Sequence, residues 1–350
     1  MQIKDNRNEL IDILKAIAII LVVVGHTMQY GTTADYLQNK LFYDNAFFQF
    51  IYTFHMPLFM LISGYLFYAS AARHSFSYIV KSKVKTLLFP VLIWSFIPFF
   101  YNLIKNGDFS VMTIFKTYGT TAINNFWFLW SLLFWSLVFV FVKRFLKDNI
   151  FVYIGIFILT FFIPDTLAAL HKFIYPFFML GYFFNKNKAK FTHFLSSGKS
   201  KLICLILSGA TFFVMFLFYN RNSFAYTTGY YLFKNRPNIG VLNQLGINLF
   251  RTAIGFVSSV FVILLVSFIY KHTPKLINKA LCFIGQNSLG IYIISDVLSL
   301  YLLAKILFIF PDISYFRVFL ETIIIFFLSL FLSILIKKIK PLNRILFGGR

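Results

Sequence analysis

Two ionisable residues interrupt the first apolar run of the chain, a lysine at position 15 and a histidine at position 26. Eleven residues make close to three turns of an α-helix, so Lys15 and His26 are predicted to share one face, about 16 Å apart along the axis. That distance is about half the hydrocarbon thickness of a bilayer. Ionisable side chains are costly at that depth and usually have a function, so this face is the first candidate for chemistry.

The composition is that of an integral membrane protein. Hydrophobic residues make up 59% of the 350 and charged residues only 13%, whereas a soluble domain is about half apolar and about a quarter charged. The net charge of +22 does not predict a nucleic-acid partner, because no soluble stretch is long enough to form a basic face. Cys204 and Cys282 lie in apolar runs, so we expect neither a disulfide framework nor a metal site.

A window of about 20 residues finds ten apolar stretches that are candidates for membrane spans. They cover residues 11–31, 45–70, 86–105, 125–143, 150–166, 172–185, 202–219, 247–270, 280–304 and 315–337. Most of the 33 lysines and arginines lie in the two terminal segments and in alternate connections between these spans. By the positive-inside rule, both termini are therefore predicted to be cytoplasmic.

The amino terminus is expected to be a retained first span. Lys4 and Arg7 precede its apolar run, as in a signal peptide, but no small-residue cleavage site follows before His26. No soluble domain can be separated elsewhere. The fold prediction is thus an all-α polytopic membrane protein of about ten transmembrane helices, with residues 1–350 in one domain.

Five sequence landmarks carry a resemblance to a known family. They are residues 12–19 (DILKAIAI) with His26, 54–67 (FHMPLFMLISGYLF), 81–90 (KSKVKTLLFP), 126–129 (FWFL) and 284–292 (IGQNSLGIY). In this order they resemble the acyltransferase family 3 membrane proteins, which are mostly bacterial O-acyltransferases of surface sugars. The second landmark looks most like the fucose O-acetylase-like branch.

The chain departs from the family pattern at two places. The family's usual arginine, eleven residues before the histidine, is Lys15 here, which keeps the charge but loses the planar fork of a guanidinium. Three residues after Ile291-Tyr292, where relatives often have a histidine, this chain has Ser295 followed by Asp296.

The resemblance implies transfer of an acyl group, usually acetyl from cytoplasmic acetyl-CoA, to a sugar hydroxyl of a surface polysaccharide or its lipid-linked precursor. His26 would be the general base, since a neutral imidazole suits removal of a hydroxyl proton. Asp12 is expected to pair with Lys15, one helical turn away, at the cytoplasmic mouth of the site. The positions with implied roles in donor or substrate binding are Asp12, Lys15, His55, Ser63, Lys81, Lys83, Lys85 and Trp127. No bound cofactor is expected, and the implied location is the bacterial inner membrane.

Most of these residues also have a purely structural interpretation. His26 could be hydrogen-bonded within the bundle, and His55 could bond a carbonyl that Pro57 frees. The lysines at 81, 83 and 85 are also typical of a positive-inside anchor, and Trp127 of an interfacial aromatic.

Two other functions compete with the enzyme. A transporter or flippase could move a glycolipid or an acyl group without forming a bond, but such proteins often have internal repeats, and the two halves of this chain show no such symmetry. A non-catalytic relative in an export complex would be expected to lose His26, which this chain retains.

Overall fold

The computed structural model describes residues 8–31, 34–165, 169–194, 197–234, 239–299 and 315–349. These residues form helices joined by turns, and none of them lies in a β-strand, which confirms the all-α class. The helices are α1 (Glu9–Tyr30), α2 (Ala34–Asn39), α3 (Ala46–Arg73), α4 (Phe76–Lys83), α5 (Phe89–Trp94), α6 (Phe96–Asn106), α7 (Val111–Asn124), α8 (Trp127–Phe145), α9 (Ile150–Thr160), α10 (Ala169–Lys186), α11 (Lys188–Phe194), α12 (Gly198–Phe216), α13 (Ala225–Thr228), α14 (Val241–Ile269), α15 (Lys275–Gln286), α16 (Ser288–Val297), α17 (Tyr315–Lys338) and α18 (Lys340–Leu346). Turns of 3-10 helix cover Leu41–Asp44 and Arg221–Ser223, and a π-helical turn covers Val84–Leu88.

Seven of the described helices are long and apolar enough to cross a membrane. They are α1, α3, the continuous helix Phe76–Asn106, α8, α12, α14 and α17, and the pair α15 and α16, bent by 63°, makes an eighth if it counts as one span. Each of the ten predicted spans falls on a helix, and the last part of the 280–304 span lies outside the described residues. The count of ten stays a prediction, because α9 has only 11 residues and α10 is less apolar than the seven.

Some predicted boundaries differ from those of the structure. α14 begins at Val241, before the predicted start of its span, and α9 ends at Thr160, before the predicted end at 166. Large apolar side chains on the outside of the bundle, among them Phe115, Phe151 and Leu217, are largely exposed. A surface of this kind is suited to lipid.

Contacts near the ends of the predicted spans sort these ends into two groups. At the predicted cytoplasmic ends, contacts join Lys186 and Asp148, Cys282 and Glu9, and Lys337 and Gln286. At the predicted outer ends, contacts join Arg221 and Asp44, Asn45 and Tyr315, and Tyr230 and Asp165. The grouping agrees with the predicted alternation of connections, and which group is cytoplasmic stays a prediction.

The helix that carries Lys15 and His26 lies at the centre of the candidate site. The side chain of Asn8 accepts the amide of Leu10 and so caps the start of α1. α1 then packs against α3, α15, α16 and α17. Its contact with α15 is close, since a Cβ at Gly285 would collide with the carbonyl oxygen of Asp12.

Helix α3 contains Pro57 in its interior. Proline has no amide proton, so the carbonyl of Thr53, four residues earlier, loses its helical donor. The hydroxyl of Ser258 on α14 lies 3.4 Å from that carbonyl oxygen, but its closer contact, at 2.5 Å, is with the carbonyl of Ile254 on its own helix. The freed carbonyl of α3 thus faces α14.

The packing of α3 against α10 depends on two glycines. A Cβ at Gly64 would collide with the carbonyl oxygen of Phe178, and a Cβ at Gly181 would collide with that of Leu61. Small residues allow two helix backbones in a membrane to approach this closely. Around this contact lie fully buried aromatic rings, including Phe177 and Phe178.

Gly181→Ala should therefore destabilise the protein. The added methyl group forces α3 and α10 apart, and overpacking of this kind costs about 1–3 kcal/mol. The measurement is the melting temperature of the purified protein in detergent. Gly155→Ala on α9 is the matched control, because no described residue comes within 4 Å of a Cβ there, and it should leave the melting temperature nearly unchanged. Equal stability of the two variants would contradict the close-packing account.

Candidate functional site

A histidine and an aspartate from distant parts of the chain meet inside the bundle. His26 Nδ1 on α1 lies 3.6 Å from Asp296 Oδ1 on α16, and their side chains are 15% and 13% exposed. Among the described residues, His26 Nδ1 makes no hydrogen bond. A carboxylate beside one ring nitrogen can orient an imidazole and stabilise its protonated form, which leaves the other nitrogen for a substrate.

The bend between α15 and α16 makes this meeting possible. α15 ends at Gln286, and α16 starts two residues later at an angle of 63°. The side chain of Asn287 at the bend donates to the carbonyl of Phe283 at 2.9 Å. Gly290 then lies directly against Ser333 of α17, so α16 is held between α17 and α1.

Aromatic side chains enclose the pair on the predicted outer side. The ring of Tyr30 meets the ring of His26 edge-on, with centroids 5.9 Å apart. Tyr52 lies against Gly25, where a Cβ would come within 2.9 Å of its ring, and its hydroxyl donates to Gln29 Oε1 at 3.3 Å. These contacts limit the space around His26.

His55 is buried one helical turn from Tyr52 and meets its ring edge-on, with centroids 4.5 Å apart. Its Nδ1 lies 2.8 Å from the carbonyl oxygen of Ile51. The carbonyl freed by Pro57 is that of Thr53, which lies 3.4 Å from the hydroxyl of Ser258. His55 is therefore hydrogen-bonded to its own helix but is not the ligand of the freed carbonyl.

A cavity of about 670 Å³ lies on the predicted cytoplasmic side of the pair. Its polar lining includes Lys15, Ser63, Asn287 and Lys337. Its apolar lining includes Val22, Met56, Phe59, Phe128, Tyr292 and Phe347. We call this space the inner cavity. Val22 precedes His26 by one turn, so the cavity reaches close to the histidine.

The predicted pairing of Asp12 with Lys15 is confirmed. Lys15 Nζ donates to Asp12 Oδ1 at 2.8 Å, and the two side chains are 18% and 5% exposed. Across the inner cavity, Lys337 Nζ donates to Asn287 Oδ1 at 2.9 Å. Two ammonium groups thus line one cavity, and Ser63 lines it with them.

The basic stretch 81–85 lies elsewhere. Lys81 and Lys83 are on α4 and Lys85 is in the π-helical turn, and none of the three is among the residues that line the inner cavity. Lys81 and Lys85 are exposed, whereas the ammonium of Lys83 lies 5.2 Å from the ring centroid of Phe67. The structure therefore brings Lys15 and Ser63 together and keeps these three lysines apart from them.

A second, small pocket of about 30 Å³ lies on the predicted outer side, and its lining includes Tyr52, His55, Met56 and Trp127. It is continued by a wider opening of about 320 Å³, which Trp127 also lines. Met56 lines both the small pocket and the inner cavity. His26 itself lines neither space, but its neighbours line both: Val22, one turn before it, lines the inner cavity, and Tyr52, which lies against Gly25, lines the outer pocket.

Buried charged side chains hold the backbone at Thr228, Gly229 and Tyr230, near the outer pocket. Arg251 on α14 is 2% exposed and donates to the carbonyl of Gly229 at 2.6 Å and to the hydroxyl of Thr228. Asp165 lies 2.7 Å from Lys172 Nζ and accepts the amide of Tyr230 at 2.8 Å. Burial raises the pKa of Asp165, but the Lys172 ammonium and the backbone amides outweigh burial and hold the pKa below its usual range.

Sequence reasoning did not assign a role to several residues that the structure brings to the site. They are Tyr52, Asn287, Asp296, Lys337 and Phe347. One signal was present for Asp296, because an acidic residue within an apolar helix is costly and usually functional. Phe347 gave no such signal, since phenylalanine is abundant throughout this chain.

Comparisons with known proteins agree with the motif resemblance. The model of the family Acyl_transf_3, described as an acyltransferase domain, matches residues 8–338. The nodulation protein NolL of Mesorhizobium japonicum is 30% identical over 227 residues, which are 63% of this chain and 59% of that protein. The nodulation protein NolL of Sinorhizobium fredii is 32% identical over 228 residues, with 63% and 60% covered.

The chain therefore spans about three fifths of the length of these curated relatives. No solved structure matches it. The family match covers nearly the whole chain, including α1, α3 and α16, which hold the candidate site. The protein is a multi-pass membrane protein that belongs to the acyltransferase family.

Proposed function

We propose that this protein is a membrane-bound O-acyltransferase that transfers acetyl from cytoplasmic acetyl-CoA to a sugar hydroxyl of a surface polysaccharide or its lipid-linked precursor. The observation that carries the proposal is the His26–Asp296 pair, which lies next to the inner cavity, since Val22, one turn before His26, and Tyr292, one turn before Asp296, both line that cavity. We further propose that the protein lies in the bacterial inner membrane with both termini in the cytoplasm, because basic residues concentrate on that side.

In this reaction His26 removes the proton of the acceptor hydroxyl as its oxygen attacks the thioester carbonyl. A new ester C–O bond forms, the thioester C–S bond breaks, and coenzyme A leaves as a thiolate. The imidazolium then gives its proton to the leaving sulfur, which restores the neutral base. Asp296 holds the ring in position and stabilises the imidazolium that forms in between.

The inner cavity is the proposed place of the donor's acyl end. Its apolar wall suits the long arm that carries the thioester, and Lys15 and Lys337 place positive charge beside it. The phosphates of the donor cannot enter the bilayer core, so they are assigned to the cytoplasmic face, where Lys81, Lys83 and Lys85 form an anion site. The outer pocket, with Trp127 and His55, would receive the acceptor.

His26→Ala should leave the protein inserted and folded but lower acyl transfer by about 10² to 10⁴-fold, the usual contribution of a general base. The measurement is the content of ester-linked acyl groups on the surface glycan, determined by mass and by their loss in mild alkali. His272→Ala is the control, because this histidine is exposed in a connection. Near-normal transfer by a correctly inserted His26→Ala variant would show that His26 is not the general base. A glycan that is unchanged when the whole protein is absent would favour the transporter.

Asp296→Asn should lower kcat by about 10²-fold or more, because the imidazolium loses its carboxylate. The donor KM should change little, and Asp296→Glu, which keeps the carboxylate, should recover part of the rate. Both constants are measured on purified protein in detergent. Ser295→Ala serves as the neighbouring control, since within the described part of the chain its hydroxyl donates to the carbonyl of Tyr292 on its own helix. A donor KM that rises while kcat stays constant would assign Asp296 to binding instead.

The combined change Lys83→Gln and Lys85→Gln should weaken donor binding by about 1.5 to 3 kcal/mol for each charge-assisted contact that is lost. The acceptor dependence should remain as in the parent. Removing two charges from another predicted cytoplasmic connection, with Lys199→Gln and Lys201→Gln, tests for a general effect of net charge. Equal donor affinity of the two double variants would show that the lysines of the 81–85 stretch only anchor the protein at the membrane.

Lys15→Arg should be tolerated, because it restores the guanidinium usual in the family.

A further inference from the structure

Residues 340–349, which we call the hook, fold back onto the bundle after α17. The hook consists of α18 and the three residues Phe347, Gly348 and Gly349. Phe347 is fully buried although α18 itself has no buried residue. The amides of Phe347 and Gly349 both donate to the carbonyl of Asn343, which closes the hook on itself.

Side-chain and backbone contacts hold the hook in place. Trp94 Nε1 on α5 donates to the carbonyl of Leu346 at 3.0 Å. The rings of Trp94 and Phe347 are stacked with an interplanar angle of 17° and centroids 6.1 Å apart. The tip of the Phe347 ring, Cζ, lies against α16, where a Cβ at Gly290 would be 3.2 Å from it. Phe347 thus contacts both α5 and α16.

The hook also lies directly on the backbone of the basic stretch. A Cβ at Gly348 would be 2.5 Å from the carbonyl oxygen of Lys85 and 2.6 Å from the Cα of Thr86. Both of these residues belong to the π-helical turn Val84–Leu88. Turns of this kind are frequent at functional sites. Gly348 has φ +67°, a conformation that favours glycine, so both its backbone and its missing side chain suit this contact.

We propose that the hook forms part of the donor site, with Phe347 as one wall of the inner cavity. This inference rests on the proposed function for the identity of the donor. Phe347 lines the inner cavity, and Gly348, the next residue, contacts the stretch that carries Lys83 and Lys85. The hook therefore links the assigned phosphate site to the assigned site of the apolar arm. A ligand with a charged head and a long apolar arm, such as coenzyme A, requires both at once.

Phe347→Ala should weaken the binding of coenzyme A about tenfold or more, because buried aromatic walls contribute much of the binding energy in such sites. The probe is coenzyme A itself, titrated calorimetrically into the purified full-length protein. Ile345→Ala is the matched control, since Ile345 lies on the same hook and is 50% exposed. The control should bind coenzyme A as the parent does.

Two glycine variants distinguish loss of the contact between the hook and Lys85 from backbone strain within the hook. Gly348 and Gly349 both have positive φ, 67° and 79°, so alanine strains the backbone at either position. A Cβ at Gly349 would meet only Arg344, at 3.8 Å, whereas one at Gly348 would displace the hook from Lys85. Gly348→Ala should therefore weaken coenzyme A binding, and Gly349→Ala should not. This pair decides the question if Phe347→Ala lowers the melting temperature.

Failure of the hook inference differs from failure of the proposed function. If the parent protein does not bind coenzyme A, the donor assignment is overturned and the role of the hook in donor binding falls with it. If the parent binds coenzyme A and both Phe347→Ala and Gly348→Ala bind it equally tightly, only the role of the hook is overturned. Weakened binding in these two variants with normal binding in their controls supports the inference.

Discussion

His26 and Asp296 approach to 3.6 Å within an apolar bundle, and the arrangement of the site depends on that approach. An imidazole or a carboxylate alone at this depth loses hydration without compensation, and a complementary neighbour reduces the penalty. The pair therefore favours one depth of α16 relative to α1. A shift of one helix by a single turn, about 5.4 Å, would separate the two groups.

Close backbone approaches and one bend make that depth possible. Gly285 lets α15 touch the backbone of Asp12, and Gly290 lets α16 touch α17. Between them the 63° bend turns α16 so that it runs beside α1 instead of continuing along the direction of α15. Since Asn287 and Tyr292 lie on the same short segment as Asp296, the element that carries the carboxylate also lines the inner cavity. The position of the pair and the shape of the cavity are therefore coupled.

The parts of the site that sequence could predict are those set by local spacing. The separation of Asp12 and Lys15 by three residues predicted their ion pair, and apolar runs predicted a helix for every proposed span. The partner of His26 could not be predicted in this way, because Asp296 is 270 residues away in the chain. The bend between α15 and α16 and the contacts of these helices with α1 and α17 bring Asp296 to His26. Local spacing also could not show that the basic stretch, which follows α3 in the chain, is absent from the residues that line the inner cavity.

Lys15 and the lysines of the 81–85 stretch lie in different electrostatic environments. Two unit charges 4 Å apart interact by about 1 kcal/mol in water and by about 4 kcal/mol at the effective dielectric of a protein surface. Lys15 is only 18% exposed and lines a cavity, so its charge is weakly screened there, whereas Lys81 and Lys85 are exposed to solvent. Its bond to Asp12 offsets part of that charge. An ammonium group has three donors on a flexible stem, so it can donate to Asp12 and still donate to a second oxygen. A lysine at this position can therefore serve both the aspartate and a ligand in the cavity without the planar fork of an arginine.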